Sequence, residues 1–355
     1  MGTVTAILLA ILLFSFLIFI HEFGHFIAAK LSGVQVNEFS IFMGPALLKK
    51  QWGETQYTLR LIPMGGYCAM EGEDGESENP RAFGNAVWWK KLIILVAGAA
   101  MNFLSGLILL GIFYSPMENF VVPVVSTVEP QSSLSAYLQP GDRILEVDGE
   151  KIYDPSDFDL LLNLKAQPAH DLTLKRDGET LTYSNIPIEK REFQDPSGAS
   201  RLRYGFSFSV EPAGFGSTLR QVGRTSADTV RLVRLSLQML FTGRAGIKDL
   251  GGPVMIVDQM TQVAQASAST TQAVMSLVYF GAFLAINLAV MNLLPIPALD
   301  GGRVACLLIT EVVEAITRKK LDPKYEGYLH AGGMILLMGL MACIMFKDIF
   351  VIIKR

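Results

Sequence analysis

Residues 4–25 read VTAILLAILLFSFLIFIHEFGH. The first seventeen of these, Val4–Ile20, carry no charge. As a helix rising about 1.5 Å per residue they cover about 25 Å, most of a hydrocarbon core about 30 Å thick. The apolar run then passes directly into His21-Glu22-Phe23-Gly24-His25. Ionisable groups that continue a membrane helix are costly and point to function. H-E-x-x-H on a helix sets two imidazoles one turn apart on one face, where both can bind one zinc ion. The glutamate between them is placed to take a proton from water that the metal activates. His21 and His25 are therefore expected metal ligands, Glu22 the expected catalytic base and Zn2+ the expected cofactor.

The rest of the 355-residue chain supports a membrane setting. Half of it is apolar and only 18% is charged, against about a quarter charged in soluble domains. So much apolar surface excludes disorder. A net charge of −3 leaves no basic excess for nucleic acid. Cys68, Cys306 and Cys343 are too dispersed for a disulfide framework or a cysteine zinc site. Three further charge-free runs, Leu92–Tyr114, Ala273–Leu294 and Ala331–Phe346, the last resuming as Ile349–Ile353, are long enough to span a bilayer. The first run is read as a retained helix, because Met1-Gly2-Thr3 has no basic residue and no small-residue cleavage motif follows. Seven Lys and Arg fall in Lys30–Lys91, and Arg303, Arg318, Lys319, Lys320 and Lys324 precede the last run. The positive-inside rule puts both stretches in the cytoplasm and the long segment between spans two and three outside.

The expected organisation follows: span 1 with its motif over 1–31, a β-hairpin and loop segment over 32–90, span 2 over 91–116, an α+β domain over 121–190, a linker and amphipathic helix over 191–271, span 3 over 272–302, a cytoplasmic loop over 303–330 and span 4 over 331–353. Val34–Ile41 and Tyr57–Leu61 alternate in polarity around Gly53, a hairpin pattern that Pro63-Met-Gly-Gly-Tyr67 interrupts. In the external segment Asp157–Lys165 has helical spacing, and Arg176-Asp-Gly178 between two alternating runs is a hairpin turn. Glu189–Ser200 reads as a linker. Thr218–Phe241, with Arg220, Arg224, Arg231 and Arg234, reads as an amphipathic helix. Asn102, in a small-residue stretch of span 2, is assigned to helix packing.

Two histidines need a third protein ligand. His170 falls in the external domain, His330 borders span 4, and Glu38 and Glu54 sit in the β segment. Asp300, in Asn292-Leu-Leu-Pro-Ile-Pro-Ala-Leu-Asp-Gly-Gly302, is the only charged residue between Asp258 and Arg303. Pro295 and Pro297 should end span 3 at Leu294, about 33 Å from Ala273. Asp300 then emerges at the depth of the histidines. Backbone broken by proline at that depth persists only around a cavity or polar group. Asn292 could there hold a substrate carbonyl, beside Pro295 and Pro297.

His21-Glu22-x-x-His25, Asn292-x-x-Pro295-x-Pro297-x-Leu299-Asp300-Gly301, Arg60-Leu-Ile-Pro-Met-Gly-Gly-Tyr67, Leu138-Gln-Pro-Gly-Asp-Arg-Ile-Leu-Glu-Val-Asp-Gly149 and Gly251-Gly-Pro253 occur in that order. With them the chain resembles the site-2 protease family of intramembrane zinc metalloproteases, of the bacterial regulator-of-sigma type with an inserted PDZ domain. The resemblance implies a multi-pass α-helical protein of the bacterial cytoplasmic (inner) membrane, with four transmembrane helices, a cytoplasmic-side membrane-associated β segment and one extracytoplasmic PDZ-like α+β domain. It implies His21, His25 and Asp300 as zinc ligands and Glu22 as base. The implied substrates are single-span membrane proteins such as anti-sigma factors or signal-peptide remnants, and a peptide or substrate tail is expected in a PDZ groove along Asp157–Lys165. Larger members carry two PDZ domains, where this chain has room for one, and a Gly-Pro pair frequent in span 2 is here Gly98-Ala99. A substrate helix must unwind to expose its peptide bonds, and it is expected to add as a strand at Tyr57, Leu59 and Leu61. The competing reading is an inactive membrane-tethered PDZ adaptor with a structural zinc. That requires a fourth protein ligand, and none stands out. A downstream E-x-x-x-D ligand helix is also missing, since Ala315 and Arg318 follow Glu311 and Glu314 by four residues.

Overall fold

A computed structural model describes residues 3–73, 75, 77–165, 167–194, 200–246, 251–267, 269–318 and 324–353. In chain order the elements are α1 (Thr3–Ser32), β1 (Val36–Trp52), β2 (Thr55–Met70), α2 (Trp88–Tyr114), β3 (Asn119–Val128), β4 (Arg143–Val147), β5 (Glu150–Lys151), α3 (Ser156–Lys165), β6 (His170–Arg176), β7 (Glu179–Ile186), β8 (Arg191–Gln194), β9 (Ser200–Arg203), β10 (Phe206–Pro212), α4 (Phe215–Phe241), α5 (Pro253–Ala266), α6 (Thr270–Asn292), α7 (Asp300–Thr317) and α8 (Lys324–Ile353). They form two compact units, one of residues 1–113 and 229–355, the other of residues 114–228.

In the first unit, Ile7–Ser32, Trp88–Tyr114, Thr270–Asn292 and Gly327–Val351 are long and apolar enough to cross a bilayer. Leu8, Leu12 and Phe16 of α1, Ile93, Leu104 and Ile108 of α2, and Ile335, Leu336 and Met338 of α8 remain exposed. In water such faces would be liabilities; against lipid they are solvated. The inward faces pack in layers. Leu17 of α1 is buried with Leu284 and Ala285 of α6, and Ala10 with Met260 of α5 and Leu277 of α6. Two starts are capped. Ser269 accepts from the Gln272 amide at the head of α6. At the head of α5 the buried Asp348 of α8 accepts from the Gly252 amide at 2.8 Å and the Met255 amide at 3.2 Å, satisfying donors that a helix start otherwise leaves open.

The β segment is more elaborate than a hairpin. Gly53, with φ of 62°, turns the chain between β1 and β2 as expected. Residues 46–52 then lie opposite 55–60, but residues 38–41 lie opposite both 56–59 and 66–69. The two long strands therefore fold into four ribbons in the order 46–52, 55–60, 38–41, 66–70. Left-handed backbone at Phe42, Gly44 and Gly65 makes the corners. The Pro63–Tyr67 break is thus a corner, after which the chain pairs again. Tyr57 and Leu59 are interior to this sheet, with a neighbour on each side, and Leu61 follows them toward the corner. The free strand edge expected at Tyr57–Leu61 is absent, because register places that ribbon between 46–52 and 38–41. Arg60 pins the ribbons together: it donates to Ser40 Oγ at 3.0 Å, the Gly44 carbonyl at 2.7 Å and Glu38 at 2.9 Å. Burial would raise the Glu38 pKa, but bonds from Thr58, Arg60 and Tyr67 outweigh it and hold the carboxyl low.

The sheet lies against α1. Phe39, Cys68 and Met70 form one buried cluster with Ala28 and Ala29 of α1 and Ile94 of α2, flanked by Phe19, Phe23, Phe26 and Tyr57. Ser15, well inside the apolar part of α1, donates to the Pro63 carbonyl at 2.7 Å. The sheet corner therefore reaches the level of that serine. Backbone at such depth is tolerated only when its polar groups are paired, which the ribbons and Ser15 accomplish. At the opposite end Glu54 accepts from Lys30 at 2.7 Å and from both Arg81 terminal nitrogens at 2.6 and 2.9 Å. Those bonds pull its pKa down to about 2.

Two expected boundaries move. The span 3 helix ends at Asn292, two residues before Leu294. The 303–330 loop is instead largely helical, with α7 over Asp300–Thr317 and α8 from Lys324. The basic residues Lys319 and Lys320 fall outside the described residues.

In the second unit an antiparallel sheet has the order β10-β3-β4-β6-β7, with β5 paired to β4. The expected 121–190 domain is thus extended by β10, which pairs along β3 and lies beyond the predicted linker. Periodicity within a seven-residue strand does not reveal a partner some eighty residues earlier. The linker also holds β8 and β9, paired with each other; residues 195–199 of it are not among those described. Arg176-Asp-Gly178 is the tight turn of the β6–β7 hairpin, with positive φ at Asp177 and Gly178, the geometry of a type I′ turn. Phe158 of α3 is buried against Tyr204 and, on β10, Phe206 and Phe208. Asp142, also buried, takes paired bonds from Arg176 at 2.7 Å and one from the Gln139 amide at 2.7 Å. Burial opposes its ionisation, yet Arg176 holds its pKa below the usual carboxylate value.

Candidate metal centre

α1 presents His21 and His25 one turn apart, as their spacing requires. Beyond the end of α6, residues 293–299 loop back and place Asp300 at the first position of α7. The loop is tightly wound. A Cβ on Gly301 would collide with the backbone of Leu293 and Leu294, and one on Gly302 with that of Ile296. Pro295 and Pro297 lie within this turn, and Pro297 packs so closely on Gly333 of α8 that no side chain fits there. His330, a weaker candidate ligand from sequence, serves the loop instead: its Nδ1 accepts from the Ala298 amide at 3.2 Å. Arg303, in the first turn of α7, forms an ion pair with Glu73, which follows β2.

Among the described residues, His21, His25 and Asp300 form the one group of three that could hold a metal ion. Asp300 Oδ2 lies 3.0 Å from His21 Nε2 and 3.4 Å from His25 Nε2, and the two Nε2 atoms are 3.2 Å apart. Two tetrahedral ligands at about 2.05 Å from zinc are separated by about 3.3 Å, so the triangle has the edge length of a zinc face. Its atoms also have the right character. His25 Nδ1 lies 2.8 Å from the Ile94 carbonyl, which can only accept, so the proton is on Nδ1 and the Nε2 lone pair is free. Asp300 Oδ2 is buried and accepts no hydrogen bond of good geometry despite its two neighbours. The donor set fits a zinc ion.

α2 closes the site from the side. A Cβ on Gly98 would overlap the His25 ring and lie 2.8 Å from His21 Cε1. On α1, a Cβ at Gly24 would come 2.5 Å from the Ala97 carbonyl oxygen. The two glycines let α1 and α2 approach at the imidazoles. One turn after Gly98, Asn102 is 1% exposed and its Nδ2 lies 3.3 Å from His21 Nδ1. Asn292 Nδ2 lies 3.4 Å from the same atom. Sequence reasoning assigned Asn102 to packing; the available signal was an amide in a charge-free span. Above Glu22, a Cβ on Gly66 would lie 3.7 Å from its Cγ and 2.9 Å from the Ser40 carbonyl oxygen. Ribbon 66–70 thus runs beside the glutamate. Tyr57, by contrast, packs among Phe26, Phe39 and Trp52 at centroid distances of 6.0–6.4 Å, within the aromatic layer under the sheet.

Known proteins are similar to this chain over nearly its whole length. The model of Peptidase family M50 matches residues 9–340. A Clostridium perfringens protein, provisionally named a zinc metalloprotease, is 37% identical over 349 residues, covering 97% of this chain and 98% of the relative. One from Clostridium acetobutylicum is 36% identical over 345 residues, 97% of each. The regulator of sigma-W protease RasP of Bacillus subtilis is 27% identical over 431 residues, 98% of each.

Proposed function

The chain belongs to peptidase family M50, whose members are zinc metalloproteases, and on that footing we propose that it hydrolyses a peptide bond in or beside the transmembrane helix of single-span membrane proteins. The observation that carries this is the zinc-sized triangle of His21, His25 and Asp300, with both histidines on an apolar helix of spanning length and the aspartate at the start of α7. In this reading those three residues hold the metal. Bound zinc supplies Lewis-acid polarisation and a nucleophile at neutral pH. Glu22 takes the proton from the attacking water and returns it to the leaving amine. Three protein ligands leave a position open for water and substrate, which favours an enzyme over a structural zinc in an inert adaptor.

Substrate enters as an unwound segment. Ribbon 66–70 is an end ribbon of the sheet and runs beside Glu22, so an added strand there would carry its carbonyls past the metal. Asn292, at the end of α6, is the amide available to such a strand, in the loop shaped by Pro295 and Pro297. The site opens toward the cytoplasmic side of the inner membrane, following the positive-inside pattern. The second unit serves as an extracytoplasmic PDZ-like module. Its end strand β10 runs beside α3, and a peptide or substrate tail would pair with β10 there. The similarity to a regulator of sigma-W protease supports anti-sigma factors, or signal-peptide remnants, as the substrate class.

The test is cleavage of a single-span substrate by the purified protein in liposomes, with fragment masses locating the cut. Cleavage within or next to the substrate's apolar segment, abolished by Glu22→Gln, is expected. A cut confined to soluble loops, or full activity in Glu22→Gln, rejects the proposal.

A further inference from the structure

We infer that Asn102 is a positioning residue for His21, fixing the imidazole in the tautomer that binds metal, and that this leaves Asn292 free for substrate. The inference rests on the reading of His21 as a ligand through Nε2. The two imidazoles are not held alike. His25 Nδ1 faces the Ile94 carbonyl at 2.8 Å, an acceptor that fixes both the proton and the ring. His21 Nδ1 faces two side-chain amides, Asn102 at 3.3 Å and Asn292 at 3.4 Å. For Nε2 to bind metal, Nδ1 must carry the proton and needs an acceptor. Each amide has one oxygen that a half-turn of the amide plane brings to the place of its nitrogen.

Two features select Asn102. Its Oδ1 is buried and accepts no hydrogen bond, a cost that facing the His21 N–H would remove. The residue is 1% exposed, so no substrate can reach it. Asn292 is only partly buried and ends α6 beside the proline loop. Gly98 and Asn102 stand one turn apart on α2 and so share a face: the glycine makes room for both rings, and the asparagine holds the first of them.

The experiment measures zinc affinity of the metal-stripped, full-length protein by competition with a chelating dye, alongside thermal unfolding of the stripped protein. Asn102→Leu, which keeps the branched shape but offers no acceptor, is expected to weaken zinc binding about 10–100-fold, the usual effect of removing a partner of a ligating histidine. Asn102→Asp, which keeps an acceptor at the same reach, is expected to stay near wild type. Asn292→Leu is expected to keep wild-type zinc affinity while raising KM. Wild-type affinity in Asn102→Leu overturns the inference, as does equal loss in Asn102→Asp and Asn102→Leu, which would mark a packing role. Loss of zinc in Asn292→Leu alone would assign the acceptor to that residue instead. If Asn102→Leu does not fold, Asn102→Ser, whose oxygen is too short to reach Nδ1, carries the same expectation and the same refutation. His21→Ala is measured beside them. Unchanged zinc binding there defeats the ligand reading itself, whereas its loss with Asn102→Leu unchanged defeats only the role of Asn102.

Discussion

Gly98→Ala adds one methyl group at the point where α2 meets the two imidazoles. The new carbon would lie 2.8 Å from Cε1 of both His21 and His25, and closer still to His25 Nε2. Carbon atoms rest about 3.5–4.0 Å apart, so the rings or the helix must give way by about 1 Å. His25 is not free to swing, since its Nδ1 is tied to the Ile94 carbonyl. A displacement of about 1 Å in a reacting constellation costs about 100-fold. Helix propensity acts the other way, favouring alanine over glycine by about 1 kcal/mol. The expected signature is therefore a split: cleavage about 100-fold slower and zinc affinity reduced, with unfolding of the metal-stripped protein little changed. Gly111→Ala, in the same helix with no atom within 4 Å of the added carbon, should leave zinc affinity unchanged. Chelator competition and thermal unfolding read the two effects separately. Wild-type zinc affinity and cleavage in Gly98→Ala would refute the close packing of α2 on the site.

Other positions give sharper tests of the scaffold. Asp348→Ala removes the acceptor shared by the Gly252 and Met255 amides and should destabilise the membrane unit by about 1–2 kcal/mol, seen as a lower midpoint of thermal unfolding in detergent. Arg176→Met strands the buried Asp142; about 3–5 kcal/mol should be lost from the second unit, measured in the full chain as faster hydrogen exchange across β4 and β6. Glu54 is ionised in the fold down to about pH 2, against an ordinary 4.5. A depressed pKa contributes stability that is complete above pH 4.5 and is lost as the pH falls toward 2. The carboxylate is partly exposed, so the loss should be about 1 kcal/mol, read as faster exchange of β1 and β2 amides in acid and removed by Glu54→Gln.

The parts legible in the sequence were those set by local pattern. Charge-free runs located the four long apolar helices, because hydrocarbon thickness fixes their length. The spacing of His21 and His25 fixed a shared face, and the isolation of Asp300 between Asp258 and Arg303 marked it as the carboxylate that could join them. The parts that were not legible depend on long-range pairing. Alternation in Val34–Ile41 and Tyr57–Leu61 indicates strands but not that residues 38–41 pair on both sides, so the free edge was put on the wrong ribbon. β10 joined a sheet begun at β3 across a segment that reads as linker. Asn102 and Gly98 looked like packing residues because nothing in their own helix says that its small-residue face meets two imidazoles. α7 was hidden by Pro295, Pro297 and the paired glycines, which read as the start of a loop although they form the turn that seats Asp300 at a helix start.

The most direct test is zinc content and substrate cleavage measured together on the wild-type protein, Glu22→Gln and Asp300→Ala. About one zinc per chain is expected in the wild type and in Glu22→Gln, with cleavage present only in the former; Asp300→Ala should lose both metal and activity. Full cleavage by Glu22→Gln, or undiminished zinc in Asp300→Ala, would contradict the assignment of this centre.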